Sequence, residues 1–416
     1  MKLLWVCNSV PAQVRHKISG ESGSAFWVDH VLNDIRERKL RLHVLCRGGI
    51  GWGELDECCS FSLFPANPPE IYDPELEQRF RQELESYQPD VIHIWGSEYA
   101  HTLAMVNAAE AAGMLEHTVI SIQGLCSVYT AHYCEGVPQK VVDGYTFRDL
   151  VRRNNIRGQQ KVFAQRGELE VQALRKVPYV MGRTCWDKAC MEMIHPEARY
   201  HFCNETLRQP FYQDSWSYDR CRKHRIFASS CSYPIKGFHY LLEAFAQVCK
   251  RYPDATLAVP GSDFRDISSL NRKLREGSYD RYLRRLVREL HLEDKVEILG
   301  SLSAEQMKEQ YLLSNVFVLP STIENSPNSL GEAMLLGVPC VASDVGGVST
   351  MLKHEREGFV YQSTAPYMLA HFIDCVFSME EKAGDLGQAA ADHARSTHDP
   401  EMNLNTLLDV YREVAR

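Results

Sequence analysis

Residues 315–347, NVFVLPSTIENSPNSLGEAMLLGVPCVASDVGG, decide how the rest of the chain is read. Val316-Phe317-Val318-Leu319 is a continuous apolar run closed by Pro320, the pattern of a strand buried on both faces. Residues 321–327 are polar and contain a proline, which reads as a loop. The spacing predicts a short helix over 329–336, stopped by Gly337. Cys340-Val341-Ala342 reads as a second strand ending in Asp344-Val-Gly-Gly347. Strand, loop, helix, strand is one βαβ unit, and open α/β sheets bind ligands at the carboxyl ends of their strands.

Two carboxylates flank the turn. Glu324 lies in the loop, and Glu332 lies in the first turn of the expected helix. Asn328 and Ser329 are good N-cap residues, and the free N–H groups of a helix start suit an anion such as a phosphate. A loop carboxylate beside an anion site accepts hydrogen bonds from hydroxyls. A phosphorylated polyol is therefore the natural ligand class. For Glu332 a purely structural account also stands, because Ser329-Leu-Gly-Glu332 fits the S-x-x-E capping box.

Glu324-x7-Glu332, preceded by VFVLPS and followed by A-M-x-x-G-x-P-C-V-A-S-D-x-G-G, resembles the signature of the retaining nucleotide-sugar glycosyltransferases of family 4. The resemblance implies an α/β chain of the GT-B fold, two Rossmann-like domains with parallel doubly wound sheets facing across a cleft. It also implies that Glu324 contacts the donor sugar and Glu332 the ribose. The backbone near Ser326, Asn328 and Ser329 would then face the sugar and diphosphate.

The composition sets outer bounds. A chain of 416 residues suggests two or three domains, and 44% hydrophobic content is ordinary for a globular protein. A net charge of -8 argues against a generic nucleic-acid binder. The apolar run at Met1 is too short for a signal peptide, and no apolar run is long enough to span a membrane. The 14 cysteines form no paired framework, which fits reduced thiols in a cytosol. Neither a CxxC pair nor an HExxH helix is present, so no zinc site is expected.

Strands and helices alternate along the first half. Strands are expected at 3–7, 42–46, 91–95 and 119–122, with helices at 25–38, 74–87 and 100–113. Such alternation means a parallel, doubly wound sheet. Residues 8–24 read as a long polar loop. Its segment Gly20-Glu21-Ser22-Gly23 resembles the family's glycine loop beneath the donor phosphates and facing the acceptor; a plain flexible loop is the alternative. Gln123 stands where the family often has a histidine at a strand end, so no histidine role passes to it. His93 reads as a satisfied strand histidine. Residues 146–176 read as helical and cationic, either a solvated face or a contact for an anionic membrane or acceptor.

The second half restarts the pattern, with strands at 225–228, 256–259 and 296–299 ahead of the deciding unit. Lys236-Gly237 matches the family's phosphate lysine and its glycine. By that match Lys236 acts on the donor diphosphate, where a cation stabilises charge on the leaving group. The family's arginine, five residues earlier, is here Cys231. Arg183 and Arg208 are the candidates to replace its charge. The expected division is 1–205 for an acceptor domain, 206–222 for a linker and 223–390 for the donor domain. Residues 391–416 would form a helix crossing back to the first domain.

The resemblance implies a retaining, metal-independent hexosyltransferase without cofactor. Its donor would be a nucleoside-diphosphate sugar and its acceptor a carbohydrate or lipid-linked hydroxyl. Bacterial cell-surface polysaccharide or glycolipid assembly, in the cytoplasm or at the inner membrane face, would be its setting. A nucleotide-sugar epimerase or hydrolase of the same fold is the alternative within enzymes. A binding subunit with weak catalysis is the alternative outside them.

Overall fold

The computed structural model describes residues 1–20 and 27–416. Two compact units emerge, the first made of Met1–Val128, Val162–Arg208 and His398–Arg416, the second of Tyr129–Lys161 and Gln209–Thr397.

The first unit holds eight strands among the described residues: β1 (Lys2–Cys7), β2 (Arg41–Arg47), β3 (Gly51–Glu54), β4 (Cys59–Phe64), β5 (Val91–Trp95), β6 (Thr118–Ser121), β7 (Tyr179–Gly182) and β8 (Arg199–Phe202). Their order is β3-β4-β2-β1-β5-β6-β7-β8, and the β3–β4 pair alone is antiparallel. Leu3 pairs with Leu42 on one side and Val91 on the other. Alternate residues of β1 enter different cores, Leu3 and Trp5 in one, Leu4 and Val6 in the other. A strand buried on both faces needs this continuous apolar sequence.

The closing helix Pro400–Val414 joins the Trp5 core through Leu404, Leu407, Leu408 and Tyr411. The Tyr411 hydroxyl accepts from Trp5 Nε1 at 2.9 Å and lies 2.6 Å from His93 Nδ1. His93 Nε2 is 2.7 Å from Ser121 Oγ. Both ring nitrogens are thus satisfied, and burial holds His93 well below the usual imidazole range.

The second unit holds β9 (Arg222–Phe227), β10 (Thr256–Val259), β11 (Val296–Ile298), β12 (Ser314–Leu319), β13 (Cys340–Ser343) and β14 (Phe359–Tyr361). All its pairs are parallel, in the order β11-β10-β9-β12-β13-β14. This is the doubly wound order in which the connections reverse direction between the first and fourth strands, here β9 and β12. Ligands of such sheets bind beyond the carboxyl ends of those two strands. No described helix is long and apolar enough to cross a membrane.

Three local expectations change. Within the expected loop at 8–24, Ala12–Ser19 is a helix, closed by Gly20 at φ 71. Its single buried residue, Val14, gives too weak a periodicity to read. The cationic run at 146–176 is not one helix. It breaks at Arg153, whose φ is 50, into helices Phe147–Arg152 and Ile156–Leu174. Residues 129–161 also group with the second unit, whereas the sequence-based division put them in the first domain. Long-range hydrogen bonds tie them there. Ser278 N donates to Asp149, His239 Nε2 is 3.1 Å from Glu135 O, and Thr322 Oγ1 donates to His132 O at 3.1 Å.

Candidate active site

The segment after β9 ends in a 3₁₀ turn, Pro234–Lys236, closed by Gly237 at φ 63. A Cβ on Gly237 would lie 1.8 Å from the Pro320 carbonyl oxygen, so nothing larger than glycine fits. The close approach is sealed by Thr322 N donating to Ile235 O at 2.8 Å. It carries Lys236 to the loop after β12, where Nζ donates to Glu324 Oε1 at 2.6 Å. Ser321 Oγ donates to the same oxygen at 2.8 Å. The Glu324 side chain is 9% exposed and that of Lys236 31%, so the ammonium is the more open partner. Two residues 88 apart in sequence thus meet at the carboxyl ends of β9 and β12.

The turn after β13 fixes Glu324 from behind. Gly347 N donates to Glu324 O at 3.0 Å. Gly346 has φ +51, and a Cβ there would lie 1.9 Å from Glu324 O. The Asp-Val-Gly-Gly segment is therefore the backbone clamp of the site. Ser321 was not singled out from the sequence, and Gly346 was read only as part of the D-x-G-G that closes the motif, without a role. Gly346 had a readable signal, a Gly-Gly pair directly after a strand.

The helix that follows is Asn328–Leu335, with Pro327 as its N-cap and no side-chain cap. Asn328 and Ser329 are its first two residues, not its caps, and the capping box with Glu332 does not form. Pro327 takes the boundary because its carbonyl already accepts from Leu330 N at 3.0 Å and Gly331 N at 3.2 Å. Glu332 is 3% exposed, and capping no longer accounts for a carboxylate at that depth. Asn328 and Ser329 are half-buried at the helix start, where N–H groups point outward. Ser326 is buried and its hydroxyl faces Met351 Sδ at 3.5 Å.

Cys231 sits 4% exposed in the β9 loop, with Sγ 3.8 Å from Pro260 O. Burial pushes its thiol up to about 12, so it brings no charge of either sign at neutral pH. An open groove continues from this loop past Ser230, Gly261, Ser262, Gly300 and Ser301, at the ends of β9, β10 and β11.

In the first unit, Arg183 is not a free cation. It is 6% exposed, and NH1 donates to Glu205 at 2.6 Å. NH2 contacts Gln123 Oε1 at 3.2 Å, and Gln123 Nε2 donates to Glu205 at 2.5 Å. Burial raises the Glu205 carboxyl, with Arg183 and then Gln123 opposing the rise. The expectation that Arg183 supplies a diphosphate charge is therefore corrected, because a buried carboxylate holds its guanidinium. Gln123 belongs to the same closed cluster. Arg208 is half-buried at the end of the first unit. Gly20 is the C-cap noted above; Glu21, Ser22 and Gly23 lie outside the described residues.

Comparison with known proteins adds a similarity over part of the chain and a shared fold over the whole of it. Residues 222–393 match glycosyl transferases group 1. An uncharacterized glycosyltransferase of Methanocaldococcus jannaschii, MJ1607, is 32% identical over 154 residues, 37% of this chain and 35% of that protein. A D-inositol 3-phosphate glycosyltransferase of Corynebacterium urealyticum is 26% identical over 43% of this chain and 41% of its own length. The chain thus spans less than half the length of these curated relatives. Among solved structures, sucrose-phosphate synthase from Thermosynechococcus elongatus superposes with a TM-score of 0.73 at 15% identity, covering 100% of this chain and 99% of that one. Anabaena Alr3699/HepE in complex with UDP-glucose gives 0.68 at 15% identity, covering 99% of this chain and 100% of that one. Residues 222–393 are therefore similar to glycosyl transferases group 1, and the chain has the GT-B fold and resembles the glycosyltransferases of family 4.

Proposed function

We propose that this chain transfers a sugar from a nucleoside-diphosphate sugar to a hydroxyl acceptor, with retention of anomeric configuration and no divalent metal. The carrying observation is the Lys236–Glu324 pair held beyond β9 and β12, beside the start of helix Asn328–Leu335. The ammonium and the outward N–H groups supply positive field for a departing diphosphate. Both hydrogen bonds of the Glu324 carboxylate among the described residues end on Oε1, so Oε2 is the oxygen for donor-sugar hydroxyls. Glu332 holds the ribose. The leaving phosphate takes the acceptor's proton on the same face of the sugar, which accounts for retention without a protein base. The UDP-glucose complex of HepE, a chain of the same fold, supports a nucleotide-sugar donor. Assembly of a bacterial surface polysaccharide or glycolipid in the cytoplasm is the setting most consistent with such chemistry.

Incubation with a panel of nucleotide sugars, with and without acceptors, tests the reading. Acceptor-dependent release of nucleoside diphosphate, with the product anomer matching the donor and turnover surviving EDTA, is expected. Hydrolysis without an acceptor, or a metal requirement, would overturn it. Cys231 favours a second reading, a nucleotide-sugar-binding subunit with weak catalysis, since a neutral thiol replaces the family's arginine. Tight nucleotide binding with no turnover on any donor would select it.

A further inference from the structure

In the second unit, helix Leu270–Arg275 lies against helix Phe147–Arg152. Both are short, and both read as alternating apolar and cationic residues, LNRKLR and FRDLVR. Phe147 is 56% exposed, Leu150 60%, Val151 68% and Leu270 72%. Tyr145 and Leu274, close to them in sequence, are exposed too. An ordinary solvated helix exposes polar residues; here large apolar side chains cluster on two neighbouring helices.

The charge around them is one-sided. The acids of this region are buried, paired or hydrogen-bonded: Asp149 lies under Arg148, Glu276 holds Arg281 and Arg284, Asp266 holds Arg272, Asp143 holds Arg157, Asp263 holds Arg265, and half-buried Asp280 accepts from Gly277 N. Arg152, Arg153, Lys273 and Arg275 are exposed and make no ion pair among the described residues. Lys140 and Arg288 line a cleft just beyond, between residues 140–146 and helix Ser278–Glu289. A chain of net charge -8 thus gathers unpaired cations around its exposed apolar side chains.

We infer that this face docks the protein on an anionic lipid bilayer. Phe147, Leu150, Val151 and Leu270 enter the boundary between headgroups and acyl chains, and the cations lie among the phosphates. Charge complementarity selects the occupant: a second copy of this acidic chain would have to set cation against cation across any two-fold contact of this face. The surface differs from the one expected at 146–176, because residues beyond Arg153 fall on a separate helix. Arg272 of the second helix lines the groove beyond β9, but none of Leu150, Val151, Arg152 and Lys273 does, so these four positions can be changed without touching the site proposed for transfer.

Co-sedimentation of the full chain with phosphatidylcholine vesicles, with or without phosphatidylglycerol, tests the inference. Binding to the anionic vesicles is expected, falling steeply with salt, and none to the neutral ones. The double variant Arg152→Glu/Lys273→Glu should weaken binding by more than about tenfold, and Leu150→Ser/Val151→Ser by about tenfold. All four positions are exposed, so the melting temperature should not change. Undiminished binding in either variant, or no binding by the wild type, would overturn the inference. So would wild-type dimers that Leu150→Ser/Val151→Ser dissociates, which would make the face an interface between copies.

Discussion

The two sheets share a doubly wound strand order, the first with further strands at its edges, and differ in what they hold at the point where that order reverses. In the second unit, the loops after β9 and β12 bring Lys236 to Glu324, with the ammonium open to solvent. In the first unit, the loops after β1 and β5 bring Asn8 Nδ2 within 2.9 Å of Glu98, and Asn8 Oδ1 within 2.8 Å of His101 Nε2. At the carboxyl end of β7, Arg183 is closed against Glu205. A doubly wound sheet therefore provides a place for chemistry but not the chemistry itself. An ion pair with one open partner can act on a ligand; a pair with both partners buried can only hold the fold.

Substitutions that treat the two ion pairs alike should separate them. Arg183→Met leaves the Glu205 carboxylate buried without its cation, and about 3–5 kcal/mol of stability should be lost. Lys236→Met removes a half-buried partner, leaves Glu324 its hydrogen bond from Ser321, and should cost less, about 1 kcal/mol, while abolishing turnover. Denaturant melts of both variants check this, and equal losses would erase the distinction. Glu324→Gln comes next. Turnover should fall about 10²–10³-fold with nucleotide affinity retained, and unchanged turnover would remove the site from the second unit.

Glu332→Gln should weaken binding of the bare nucleoside diphosphate by about 1–3 kcal/mol, measured by calorimetry. Normal affinity would detach Glu332 from the ligand. The last test belongs to the first unit. Burial is the main force raising the Glu98 carboxyl from its ordinary 4.5 to about 7, against Arg166 and its hydrogen bonds. Between those values the folded state binds more protons than the unfolded one, so stability falls as pH rises from about 4.5 to about 7. Glu98→Gln should flatten that part of the stability curve relative to wild type. An identical slope in the variant would show that Glu98 does not titrate there.

Much of this was legible in the chain. The apolar run before Pro320 is a strand because only a sheet covered on both faces tolerates it. Helix Pro74–Tyr87 was readable from its Pro start and apolar spacing, and it has the expected bounds. The edge strand β3 and its neighbour β4 were missed, since Gly51-Trp-Gly53 reads as a glycine loop until a partner strand pairs with it. Helix Ala12–Ser19 was missed for want of an apolar face.

The sequence by itself determined the repeated strand–helix alternation, the Lys-Gly pair after β9, and the spacing of Glu324 and Glu332. These depend on neighbours a few residues away, which periodicity and turn chemistry record. Folding decided that Pro327, whose carbonyl accepts from Leu330 N and Gly331 N, and not Ser329 caps the helix, which removed the capping account of Glu332. It alone closed Arg183 on Glu205, and it alone joined residues 129–161 to the second unit. Each of these rests on a partner far away in sequence or on where a helix begins against its surroundings. A side chain's charge is written in the sequence, but whether that charge stays open or is cancelled depends on what folding places beside it.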